Sequence, residues 1–104
     1  VVKKVEDIER LKIAVRNITD KDISSRNLSR GTTGVVITEI SNRSPLNNLL
    51  RVNDIIIEVQ KFPIKSSSDL KKLVENIFNK GEKTLLLTVI NQNNQRRYLG
   101  VKIN

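Results

Sequence analysis

Apolar positions along the chain change period several times, and each change marks an element. Leu11-Lys12-Ile13-Ala14-Val15 alternates apolar with polar or small side chains, the period of a half-buried strand. Gly34-Val35-Val36-Ile37-Thr38-Glu39-Ile40 predicts a second strand. Ile55-Ile56-Ile57-Glu58-Val59 is β-branched and nearly continuous, as in a strand covered on both faces. Thr84-Leu85-Leu86-Leu87-Thr88-Val89-Ile90 is a further strand, and residues 95–103 return as the last one. The hairpin turn between them is Asn91-Gln92-Asn93-Asn94, because asparagine tolerates the left-handed conformation. Leu70, Leu73, Val74, Ile77 and Phe78 recur at helical spacing, with Lys71, Lys72 and Glu75 opposite. Ser66, Ser67 and Ser68 offer N-caps, Asp69 suits the positive end of the helix dipole, and Asn79-Lys80-Gly81 supplies a C-terminal stop. That helix should run about three turns.

The stretch 44–64 organises the rest. Ser44 can cap a short helix, Pro45 sits where its missing N–H costs nothing, and Leu46, Leu49 and Leu50 follow at helical spacing. Asn53-Asp54 breaks that pattern before the Ile55 strand, with Asn53 suited to positive φ and Asp54 read as a turn-stabilising acceptor for nearby backbone N–H groups. Phe62-Pro63-Ile64 is a short apolar return whose proline argues for an edge. Upstream, Thr19 could cap a short helix with Asp22 three residues on, close to a capping box, with Ile23 and Leu28 as its apolar contacts. Gly31 and Gly34 read as a flexible turn into the next strand; no Lys-Ser/Thr follows, so a phosphate loop is not indicated. Residues 1–9 read as a charged lead-in from a preceding domain, patterned only by Val5 and Ile8.

These elements sum to five or six strands and two or three helices without an internal repeat. That is an α+β domain, a small partly open barrel or sandwich of mostly antiparallel strands capped by helices, spanning 1–104. The start at Val1 suggests a piece of a longer protein, and there is no apolar run of membrane-spanning length. The net charge of +8 invites a nucleic-acid reading, but the basic residues are scattered and only 3% of residues are aromatic, so stacking platforms are missing. Without cysteine there is neither a disulfide framework nor a thiolate metal site, and no cofactor or metal is expected. Without histidine, a Ser-His-Asp triad cannot be built from this chain alone, and the scattered carboxylates read as surface or helix-end charge. The domain is therefore expected not to be an enzyme by itself.

The order small residue-Pro, apolar turn, Leu-x-x-x-Asp, three aliphatics, turn and helix in 44–64 resembles the PDZ domains of bacterial Do/Deg (HtrA-type) periplasmic serine proteases. The resemblance continues through Ser66-Ser67-Ser68-Asp69-Leu70 to Tyr98-Leu99-Gly100-Val101. This chain departs from the family at Asn53, usually Gly, and at Gln60-Lys61, usually Asn-Gly. The resemblance implies the circularly permuted bacterial PDZ arrangement, and the C-terminal PDZ domain of such a protease. It also implies recognition of a peptide by its backbone and terminal carboxylate, through strand addition to an exposed edge. Carried over residue by residue, the carboxylate loop is Arg10-Leu11-Lys12-Ile13 and the peptide-pairing strand Ile13-Ala14-Val15-Arg16. The helix wall would involve Leu70 and Val74, leaving Leu73, Ile77 and Phe78 to the core. Lys12 stands where the family has Gly, so it serves only if the loop does not require positive φ; Arg10 and Lys12 could attract the carboxylate. On pattern alone, Leu11, Ile13 and Val15 fit a core strand as well as a binding edge.

The implied function is a non-catalytic peptide-binding domain in periplasmic protein quality control, its partners being hydrophobic C-termini of unfolded proteins and other domains or subunits of the parent protease. The alternatives are a structural or regulatory PDZ domain joining domains or subunits, its groove occupied by its own chain or another subunit, or a PDZ domain of a site-two protease or type II secretion component. Specific nucleic-acid binding and membrane insertion are not expected of this segment.

Overall fold

The computed structural model describes residues 5–102; the start of the lead-in and the expected strand end at Ile103 lie outside them. The elements are β1 (Val5–Ile8), β2 (Ile13–Asn17), α1 (Asp20–Ser25), β3 (Val35–Ile40), β4 (Ile55–Val59), β5 (Phe62–Pro63), α2 (Ser67–Asn79), β6 (Thr84–Ile90) and β7 (Arg96–Lys102). The strands form one sheet in the order β1-β2-β3-β4-β6-β7, with β5 paired to β4. All the pairings are antiparallel. The sheet is open rather than closed into a barrel, and it holds seven strands where five or six were expected.

The apolar runs meet on one side of this sheet. Leu11, Ile13 and Val15 join Val35, Ile37, Ile56, Leu85, Leu87 and the helix residues Leu70, Val74 and Ile77 in the main core. Val36, Ile55, Ile57 and Ile90 form a smaller cluster on the other face, which explains why the β4 run is apolar without alternation. The end signals of α2 work as the sequence predicts: Ser66 accepts from the Asp69 N–H, and at the other end the N–H groups of Gly81 and Glu82 reach Phe78 and Ile77. This is a Schellman closure, which satisfies carbonyls that a helix end leaves free. Thr19 caps α1 in a full capping box with Asp22.

Two expectations need correction. Leu46 to Leu50 is a run of turns rather than a helix, because its bonds mix three- and four-residue spacing (Leu49 N–H and Leu50 N–H both reach the Leu46 carbonyl) over too few residues to propagate. Ser44 still caps it, its Oγ accepting from Leu46 N–H at 3.0 Å. The second concerns the lead-in. Val5–Ile8 is not linker but strand β1, paired along its length with β2 and burying Ile8 in the main core.

Candidate functional site

The site expected from the sequence would lie between β2 and α2, and the structure brings its apolar residues together in the core. Leu11, Ile13, Val15, Leu70 and Val74 all belong to the same apolar cluster, each no more than 3% exposed. The loop ahead of β2 is a tight turn. Leu11 N–H donates to the Ile8 carbonyl at 3.1 Å, Lys12 N–H to the Glu9 carbonyl at 3.2 Å, and Ser41 N–H to the Lys12 carbonyl at 3.0 Å. Lys12 has a φ of +54°, so it adopts the left-handed conformation that glycine would take without strain. The loop does require positive φ, and this lysine meets the requirement. Ser44 fixes the loop from the other side by donating its hydroxyl to the Leu11 carbonyl, a positioning role that sequence reading missed.

Two of the cationic residues have partners within the chain. The Arg10 guanidinium lies 4.9 Å above the Phe78 ring and 3.4 Å from Glu75, so it bridges the loop to α2. Arg16 turns away from the groove and forms a two-pronged pair with Asp22, at 2.7 and 3.0 Å, leaving only its backbone to β2. The Arg16 hydrogen bonds hold the Asp22 carboxyl well below the usual carboxylate range, burial opposes them, and Thr19 donors add to the effect. The same Asp22 hydrogen bonds raise Arg16 further. Ala14 is buried outside the main cluster, its carbonyl accepting from the Thr38 hydroxyl at 3.1 Å.

The edge of β2 expected to be free is covered. β1 pairs antiparallel with it in the register Val5↔Arg16, Glu6↔Val15, Asp7↔Ala14 and Ile8↔Ile13. The opposite edge of β2 is taken by β3. β1 also reaches the helix, where Lys71 Nζ sits 3.6 Å from the Glu6 carboxylate. The α2 residues that meet β1 and its loop are thus Lys71, Glu75 and Phe78, a row one helical turn apart. The sequence placed the first two on the solvent face and Phe78 in the core. Ile77, expected in the core, is there, while Leu73 and Phe78 pack only partly against it. The available signal was the Val5–Ile8 spacing directly ahead of a four-residue turn.

An open antiparallel sheet has a long helix beside its β2 strand and a tight loop at the start of that strand, and β1 lies on the β2 edge next to the helix. A PDZ domain model matches residues 4–103, and the chain belongs to the PDZ domain family. Among solved structures it resembles the HtrA3 PDZ domain bound to a phage-derived ligand (FGRWV), with a TM-score of 0.65 and 26% identity over 98% of this chain and 85% of that one. It is thus a PDZ domain of the HtrA type, and PDZ domains are generally non-catalytic. No curated protein matches the chain.

Proposed function

We propose that this domain recognises extended peptides that end in an apolar residue, pairing them antiparallel with β2 in the place β1 occupies, with the last side chain between the 10–13 loop and α2. The observation that carries this reading is the behaviour of β1. A four-residue segment already lies on β2 in that orientation, its last side chain 2% exposed and its last carbonyl bonded by Leu11 N–H. A terminal carboxylate at that position would accept the same N–H, with a charge-assisted bond in place of a neutral one. The HtrA3 ligand FGRWV, which ends in valine, supports the same choice. Ile13, Ala14 and Arg16 then act through their backbone, Arg10 and Lys12 shape the loop, and Leu11, Ile13, Leu70 and Val74 form the apolar floor. The parent is proposed to be a bacterial periplasmic Do/Deg-type serine protease in protein quality control, with this as its C-terminal PDZ domain; the sequence resemblance in 44–64 supports that placement.

The test is a titration of the isotope-labelled chain with a peptide ending in a free valine or isoleucine, followed by amide NMR. Shifts concentrated on residues 10–16 and 70–74, and lost when the peptide is C-terminally amidated, are expected. A panel of such peptides that produces no shifts, either in this chain or in its Ile8→Ala variant, would refute the reading.

A further inference from the structure

The groove of this domain is filled by its own chain, and the filler has a composition. β1 reads Val5-Glu6-Asp7-Ile8 and runs antiparallel to β2, so its C-terminal end arrives at the 10–13 loop. Each position has its own environment. Ile8 is buried among the core residues that line the floor, while Glu6 is opposite Val15 and within 3.6 Å of Lys71. Val5, at the far end, is half exposed. The rim around this acidic segment carries the exposed cations Arg10, Lys12, Lys71 and Lys72, with the carboxylates Glu9 and Glu75 among them, the latter paired with Arg10. The chain as a whole carries +8.

β1 is also only lightly held. It is four residues long, at the edge of the sheet, and apart from Ile8 its side chains are exposed or half-buried. Its ion pair with Lys71 is solvent-accessible on the lysine side, at 52% exposure. Short edge strands with one buried side chain belong to the low-stability end of a fold and open without global unfolding.

We propose that β1 is an exchangeable internal ligand of the groove, and that the domain selects peptides resembling it: a terminal aliphatic residue preceded two positions earlier by a glutamate or aspartate that pairs with Lys71. This rests on the peptide-binding reading above and adds to it the ligand class and the means of control. An incoming peptide displaces β1, repeats its ladder on β2, and offers a free carboxylate to the loop N–H groups where β1 offers only the neutral Ile8 carbonyl. The apparent affinity of the domain is the intrinsic affinity reduced by the fraction of molecules whose β1 is out. Any partner or substitution that holds β1 away activates the groove.

The experiment uses the full chain and fluorescein-labelled peptides ending in Val-Glu-Asp-Ile or Val-Lys-Asp-Ile with free carboxylates, read by fluorescence polarisation. Three proteins are compared: the wild type, Glu6→Lys, which sets like charges against each other at Lys71, and Ile8→Ala, which empties the buried position of β1. Both variants are expected to bind the Glu peptide about tenfold or more tightly than the wild type, because the closed state is weakened. The Glu peptide is expected to bind better than the Lys peptide, and Lys71→Glu to reverse that order. Amide hydrogen exchange of residues 5–8 is expected to speed up on peptide addition while the rest of the sheet stays protected. Equal affinities across the three proteins, or protection of residues 5–8 retained in the complex, would overturn the internal-ligand proposal while leaving peptide binding standing. No preference between the two peptides would overturn the ligand class. Binding of neither peptide, nor of any apolar-ended peptide, by either opened variant would overturn both this proposal and the peptide-binding reading itself.

Discussion

Gly34 is where β3 begins to cross β4, and Gly34→Ala measures how closely the two backbones approach. With φ at +148°, a Cβ on residue 34 would lie 2.3 Å from the Ile56 carbonyl oxygen and 3.1 Å from the Ile57 Cα. To reach even 3.0 Å the contact must open by roughly 0.7 Å. Nothing flexible is available to give way. Ile56 pairs with Val35 on one side and Val89 on the other, and Gly34 itself accepts from Ile18 N–H at 3.3 Å. The disfavoured backbone conformation costs an L-residue about 1–3 kcal/mol, and forcing packed backbone apart adds about as much again. A loss of about 3 kcal/mol is therefore expected, equivalent to roughly 12–24 °C in Tm for a domain of this size. Gly31→Ala is the control: its φ is also positive, at +84°, but an added Cβ meets nothing within 4 Å. It should cost only about 1 kcal/mol of backbone strain. Urea unfolding followed by circular dichroism, with the m-value checked for constancy, gives both numbers. If Gly34→Ala costs no more than Gly31→Ala, the close approach of β3 to β4 is not what holds glycine at residue 34.

Three further substitutions probe the site and its supports. Asp22→Asn removes one charge of the Arg16 pair and weakens the α1 cap, and should cost about 2 kcal/mol at pH 7; because the folded state lowers the Asp22 carboxyl below its ordinary value of 3.8, the wild type holds this stabilisation above pH 4 and loses it as the pH falls through the folded value. The wild-type advantage in urea midpoint should thus begin to shrink as the pH falls below about 4 and keep shrinking toward the folded value, and a gap that stays constant down to about pH 2.5 would refute the charge argument. Lys12→Gly relieves the left-handed strain at the loop and should stabilise by about 0.5–1 kcal/mol after the entropy of a glycine is subtracted, whereas Lys12→Ala should gain nothing; equal effects would show that φ is not the cause. Thr88→Val replaces a fully buried hydroxyl that has no hydrogen-bond partner among the described residues with a methyl group of the same shape, and should raise the melting temperature by several degrees. A lower melting temperature would mean that the hydroxyl is satisfied.

Much of this fold can be read without coordinates because its signals are local. The Ile55–Val59 strand, the α2 stripe with its Ser66 cap and Gly81 stop, and the Thr19–Asp22 capping box each depend on residues within a few positions of one another. Positive φ at Asn53 likewise follows from residue type, as does the backbone acceptor role of Asp54, which takes Arg51 N–H at 3.0 Å. The burial of Leu11, Ile13, Leu70 and Val74 in the core was legible for the same reason, since strand and helix periodicities name the inward-facing residues before they meet.

What the tertiary structure alone decided is who sits beside whom. Nothing in the local pattern says that Arg16 pairs with Asp22 rather than with a peptide, or that Ser44 reaches 33 residues back to the Leu11 carbonyl. The largest difference is β1. Four residues with two apolar side chains carry too little periodicity to announce a strand, and only the unpaired edge of β2, with α2 beside it, makes them one. A strand's own sequence states which face it would bury. Whether an edge is open or taken depends on long-range pairing, whose free energy comes from groups distant in the chain, and here that pairing sets the protein's own Val5–Ile8 on the edge of β2.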